Sequence, residues 1–307
     1  MYLKHFGFKK APFALVPNLD FFCSLAIHRN IINMITINLR QGERLIKITG
    51  EVGTGKTMLC CKLMANLSNE YVTLCITSTS AETLAIQKII AKKLGIHIPD
   101  HVVYHELLIL IKNRLEELGK LGKQVVIIID EAHSLSNQVI EELRLIVNLE
   151  LSSEKPITII LVGQPELSQR LQTSELRQLA QRISFSYNLS ALSKKDITAY
   201  INSRLSLVGY YDGWERLFSP LATRLLVTAS RGIPRLINVL CHKALLIAYS
   251  HGSQTINGKF IKMAIADTES IAKNFQRSYI IKITMMAAAL SVLLYAGSHL
   301  FFYLLHS

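Results

Sequence analysis

The stretch "GEVGTGKT", Gly50 to Thr57, constrains this chain more than any other part of it. It fits the pattern G-x4-G-K-[ST], follows the β-branched run "RLIKIT" and opens the helical pattern "KTMLCCKLM". Strand, glycine-rich loop and helix in that order predict a parallel α/β domain with an anion cradle at one sheet edge. Gly50, Gly53 and Gly55 let backbone N–H groups curl around a phosphate without Cβ clashes. The helix N-terminus adds partial positive charge.

The chemistry expected there is nucleotide binding. Lys56 would reach the β- and γ-phosphates of ATP, and Thr57 would ligate Mg²⁺. The expected nucleotide contacts are Gly50, Glu51, Val52, Gly53, Thr54, Gly55, Lys56, Thr57 and Met58. A second motif, "VVIIIDEAH", lies about 73 residues further on. An apolar run ending in two acids predicts Asp130 and Glu131 at the C-terminal edge of a buried strand, the ligand edge of such sheets. Asp130 would hold Mg²⁺ through water, and Glu131 would orient and activate an attacking water, so hydrolysis is expected.

The rest of the first two-thirds agrees with that architecture. "RLIKIT", "YVTLCIT", "VVIIID" and "ITIILV" are nearly continuous apolar runs, as in strands buried on both faces, and "ISFSYNL" is a fifth. Helical spacing fills the gaps between them. This predicts an α/β doubly wound sheet over 44–189, preceded by a lead-in segment, 1–43, packed on it. After Leu189 the strand signals stop, and residues 190–275 read as a small all-α domain.

Charge is uneven. Residues 1–189 hold 21 Lys/Arg against 17 Asp/Glu, whereas residues 190–282 hold 13 against 5. The second part should face something anionic, phospholipid or nucleic acid. The five cysteines, Cys23, Cys60, Cys61, Cys75 and Cys241, form no CxxC pair, which argues for reduced, packed thiols and against a disulfide frame or zinc site.

Residues 276–282 read as a basic linker, and Ile283–Leu305 as an apolar run without a charged side chain. A helix of that length rises about 35 Å, enough for a hydrocarbon core of about 30 Å. It has no polar face, so a transmembrane helix is expected. Lys273, Arg277 and Lys282 precede it, which predicts that the body stays on the cytoplasmic side.

The carboxylate pair and its distance from the loop resemble AAA+ ATPases of the additional-strand class. That resemblance implies further residues. Gln164, ending "ITIILVGQ", stands where the family has a polar sensor of the γ-phosphate. "RGIPRLINVL" resembles the lid sensor motif, with Arg235 directed at the nucleotide. "LRQLAQRIS" offers Arg177 and Arg182 as arginine fingers reaching a neighbouring subunit's ATP. With "MYLKHFGFKKAPFALVPNLDFF", His28 and "ILVGQPEL", the chain is similar over roughly residues 1–270 to the ExeA/MshM group, comprising general secretion pathway protein A and a biogenesis protein of the mannose-sensitive haemagglutinin pilus. Phe13 and Pro17 would then pack near the adenine.

The resemblance implies an ATPase at the bacterial inner membrane that helps to build a type IV pilus or a type II secretion system, working as a homo-oligomer or with other envelope-assembly proteins. ExeA-type members continue beyond a membrane span into a peptidoglycan-binding domain. Two residues follow the apolar run here, which favours the pilus-type reading. Two alternatives stay open. One is a DNA-acting ATPase resembling the transposition protein TniB, against which a bilayer anchor argues, so nucleic acid is not the expected partner. The other is a nucleotide-gated scaffold with little hydrolysis.

Overall fold

The computed structural model describes residues 1–16, 18–77, 83–99, 101, 103–149, 151, 157–269 and 271. In chain order its elements begin with α1 (Tyr2–His5), α2 (Ala26–Arg40), β1 (Leu45–Thr49), α3 (Lys56–Asn66) and β2 (Tyr71–Thr77). There follow α4 (Thr83–Lys93), α5 (Tyr104–Lys120), β3 (Gln124–Asp130), α6 (Asn137–Val147) and β4 (Thr158–Gly163). Then come α7 (Pro165–Leu171), α8 (Arg177–Ala180), β5 (Phe185–Asn188) and α9 (Lys194–Ser206). The last are α10 (Trp214–Leu217), α11 (Pro220–Ser230), α12 (Pro234–Ser250) and α13 (Gly258–Ala266). The described residues form two compact units: those within 15–204 together with 233–235, and those within 1–14, 205–232 and 236–271.

The first unit is built on a five-stranded parallel sheet in the order β2-β3-β4-β1-β5. The nearly continuous apolar runs have a direct consequence. Successive side chains of a strand point to opposite faces, so each run supplies two cores. Ile127, Ile129, Ile159 and Leu161 join the core covered by α4, α5, α6 and α7. Their neighbours Val126, Ile128, Ile160 and Val162 join the core covered by α2 and α3. All seven residues of β3 are buried.

Register then sets the functional edge. Thr49 of β1 pairs with Gly163 of β4 on one side and Asn188 of β5 on the other. Asp130 of β3 pairs with Thr77. The chain leaves β1, β3 and β4 at the same edge of the sheet, so Gly50, Glu131 and Gln164 follow one another there.

The second unit is helical. Trp214, Leu217, Phe218, Leu226, Leu240, Cys241, Leu245 and Ile261 are buried. The sequence "ERLFSPLATRLLVTAS" reads as one helix, but the structure breaks it into α10 and α11. Pro220 disfavours α backbone at Ser219, and the Ser219 hydroxyl instead accepts the Ala222 N–H at 3.2 Å as an N-cap. Ser219 N–H also donates to Ile256 O, and Ile256 N–H to Leu217 O. Residues 1–14 belong to this unit. Phe6 and Phe8 stack at 5.6 Å, Phe8 meets Tyr210 edge-on, and Lys9 N–H donates to Val208 O.

The expected fold class needs one correction. No helix among the described residues is long and apolar enough to cross a membrane. The longest of them, α5 and α12, have 17 residues each and carry charged side chains. Such a helix rises about 26 Å, less than a hydrocarbon core of about 30 Å. The fold described is therefore the α/β domain with its helical unit, without a transmembrane element. Residues 276–282 and 283–305, expected as the basic linker and the span, lie outside the described residues.

Candidate functional site

The loop between β1 and α3 is packed closely at two of its three glycines. A Cβ on Gly50 would lie 2.7 Å from Leu189 O, so this position needs a glycine for close approach. Gly53 has φ +82°, and a Cβ there would stand 2.8 Å from Arg235 Cβ. Gly55, in left-handed conformation, is the N-cap of α3, and no side chain caps that terminus. The first N–H groups of α3 therefore face the loop's interior as donors.

Lys56 sits inside this cradle and is 5% exposed. Its Nζ donates to Gly50 O at 2.8 Å and to Glu51 O at 3.1 Å. Among the described residues it makes no ion pair. A buried ammonium held only by carbonyls lacks a counter-charge, and a polyphosphate supplies one. Thr54 is buried, and its hydroxyl donates to Glu51 O. Glu51, Val52 and Thr57 are exposed, and Met58 is half-buried.

One residue further along α3, the Thr57 hydroxyl donates to Asp130 Oδ2 at 2.5 Å. A hydroxyl and a carboxylate fit the few protein oxygens that Mg²⁺ takes alongside phosphate and water. No group of three His, Cys, Asp or Glu side chains placed to hold a metal exists among the described residues. Beneath it, burial pushes the Cys60 thiol well up, with the Asp130 charge adding to the effect. That thiol is neutral and inert.

Glu131 is one of two non-glycine residues with positive φ among the described residues, at +55°. Its N–H donates to Asp130 Oδ1 at 2.9 Å, and its carbonyl accepts from both Ser134 N–H and Ser134 Oγ at 2.9 Å. The tight turn sends the carboxylate towards His133, whose Nδ1 is 3.4 Å from Glu131 Oε2. The other ring nitrogen, Nε2, is 2.8 Å from Gln164 Nε2. Arg170 Nη1 donates to His133 O and Nη2 to Asn137 Oδ1, both at 2.6 Å.

The structure thus brings together Gly50–Met58, Asp130, Glu131, Gln164 and Arg235, the last through its N–H to Gly53 O at 3.2 Å. Arg177 and Arg182 are exposed on and just after α8 and touch none of these groups in any contact seen here. Phe13 is fully buried, and Pro17 lies outside the described residues. His133, Arg170 and Gly163 were not anticipated as parts of the site. His133 stands in the quoted "DEAH", yet only the left-handed turn at Glu131 shows which way its ring faces. A Cβ on Gly163 would lie 3.2 Å from His133 N, a contact between two strand ends with no signal in local sequence.

Residues 39–171 match the family model described as "AAA domain". Over 271 residues, 88% of this chain, it is 35% identical to "General secretion pathway protein A" of Aeromonas hydrophila. The chain spans about half that relative's length, 49%. Among solved structures, Cdc6p from Pyrobaculum aerophilum superposes with a TM-score of 0.62 at 18% identity, covering 82% of this chain and 71% of that one. ORC2 of Aeropyrum pernix, in ADPNP–ADP complexes, gives a TM-score of 0.58 at 18% identity over 78% and 66%. At such identities these two establish the fold alone. Residues 39–171 are an AAA domain, in a chain related over most of its length to General secretion pathway protein A.

Proposed function

We propose that this chain binds Mg·ATP at Gly50–Met58 and hydrolyses it, and that the cycle supports assembly of an envelope machine, a type II secretion system or a pilus of the mannose-sensitive haemagglutinin kind. The relation to General secretion pathway protein A supports the choice of machine. The observation that carries the nucleotide reading is Lys56: a buried ammonium with carbonyl partners and no ion pair among the described residues, at the head of an uncapped helix.

Phosphoryl transfer needs positioning and charge stabilisation more than covalent chemistry. Lys56 is suited to neutralise the transferred phosphate. Thr57 and Asp130 would hold Mg²⁺, which when bound spreads the negative charge of the phosphates. Glu131, whose side chain is 46% exposed, can meet water and accept its proton. Gln164 can orient that water or the phosphate, and Arg235 stands over Gly53 where it can join them. Arg177 and Arg182, both exposed, suit a role on the ATP of a neighbouring copy, which makes an oligomer the working form.

Two variants test this. Lys56→Ala should abolish retention of ATP. Glu131→Gln should keep ATP bound while turnover falls by about 10²–10⁴-fold, the worth of a positioned base. The reading fails if the wild-type chain does not bind ATP, or if Glu131→Gln hydrolyses it at the wild-type rate.

A further inference from the structure

We propose that His133 is a positioning residue that couples the Glu131 carboxylate to the Gln164 amide, so that the two polar groups of the hydrolytic site respond as one unit. The inference rests on the ATPase reading above and assigns a role to a residue outside it.

The geometry is specific. The backbone on both sides of the ring is pinned. Glu131 O receives two donors from Ser134, and Glu131 N–H is held by Asp130. His133 O is held by Arg170, itself anchored on Asn137. What remains adjustable is the Glu131 side chain, and among the described residues the side chain it meets is His133. Gln164 meets both ring nitrogens, its side-chain nitrogen 2.8 Å from Nε2 and its backbone N–H 3.5 Å from Nδ1, and Nδ1 also lies 3.4 Å from Glu131 Oε2. One ring thus stands between the Gln164 amide and the Glu131 carboxylate, across 31 residues of sequence.

This arrangement gives Gln164 a means of affecting Glu131 without touching it. A phosphate oxygen that draws the Gln164 N–H removes the donor from Nε2. The ring is then free to shift, and with it the group that restrains Glu131. Without His133, Glu131 would sample rotamers that do not face the water, and base catalysis depends on hydrogen-bond reach.

The test uses the full chain, with ATP turnover and the binding of a fluorescent ATP analogue measured side by side. His133→Ala should lower kcat by about 10- to 100-fold, part of what a positioned base contributes, with KM and analogue affinity within about twofold of wild type, the pattern of an interaction made only in the transition state. Because His133 and Gln164 act through one contact, the double variant His133→Ala/Gln164→Ala should be no slower than the slower single variant. A wild-type kcat in His133→Ala overturns the proposal. So do losses that multiply in the double variant, or a fall in kcat matched by a rise in KM and a lower melting temperature. Should His133→Ala not fold, His133→Asn serves: it keeps a polar group towards Glu131 and lacks the Nε2 atom that meets the Gln164 amide. Its kcat should fall several-fold, and adding Gln164→Ala should take it no lower than Gln164→Ala alone; a lower value overturns the coupling. A wild-type chain that does not hydrolyse ATP overturns the ATPase reading and this inference with it. Wild-type hydrolysis with an unimpaired His133→Ala overturns this inference alone.

Discussion

At the residue scale, Gly53 shows how much one position can carry. Its φ of +82° suits glycine, and the space where a Cβ would go is taken by Arg235 Cβ at 2.8 Å and Ile233 Cγ2 at 3.1 Å. Gly53→Ala therefore meets both a backbone penalty of about 1–2 kcal/mol and a clash that displaces Arg235. The expected outcome is a measurable fall in stability by urea denaturation together with at least tenfold weaker ATP binding, from the loss of fit at the loop. Gly163 is a different case: its φ is not positive, and a Cβ there would meet Leu167 Cδ2 at 3.0 Å and His133 N at 3.2 Å. From the sequence both are glycines beside a strand end. Their separate reasons lie in residues far along the chain.

At the element scale, side-chain caps decide where helices begin. Ser136 caps α6 by accepting the Val139 N–H, and Asn257 caps α13 by accepting the Phe260 N–H. Ser219 matters most, because it starts α11 directly after Phe218, whose extended backbone ends α10. Ser219→Ala should destabilise the chain by about 1 kcal/mol and Ser219→Gly by only a few tenths, a difference that chemical denaturation can read. Equal losses from the two substitutions would mean that the hydroxyl is not the cap. Apolar spacing alone carried the helical reading straight through Ser219–Pro220, since periodicity registers the buried face and not the break.

At the scale of the whole molecule, two exposed arginines next to an α/β sheet have no partner within the site described. If either serves a neighbouring copy, activity depends on assembly. Specific ATPase activity should then rise with protein concentration, and Arg182→Ala or Arg177→Ala should lower kcat by about 10³-fold, as for an arginine finger, while leaving ATP binding intact. Turnover that is unchanged by dilution and by both substitutions would remove the arginines from the reaction. The uneven charge, concentrated in residues 190–282, belongs to the same scale, since it describes a surface and no particular contact.

What the sequence determined by itself was local. The loop Gly50–Thr57, the buried strand ending in Asp130 and Glu131, and the five apolar runs are each specified by a handful of adjacent residues. Short-range sterics and hydrophobic period govern such segments. Only the tertiary structure decided that β4 lies between β3 and β1, bringing Gln164 to the edge beside Gly50, and that Arg235 meets Gly53. It also decided that His133 stands between Glu131 and Gln164. These are pairings between segments remote along the chain. They follow from strand order, register and a left-handed turn, which arise when the two cores on either face of the sheet close together.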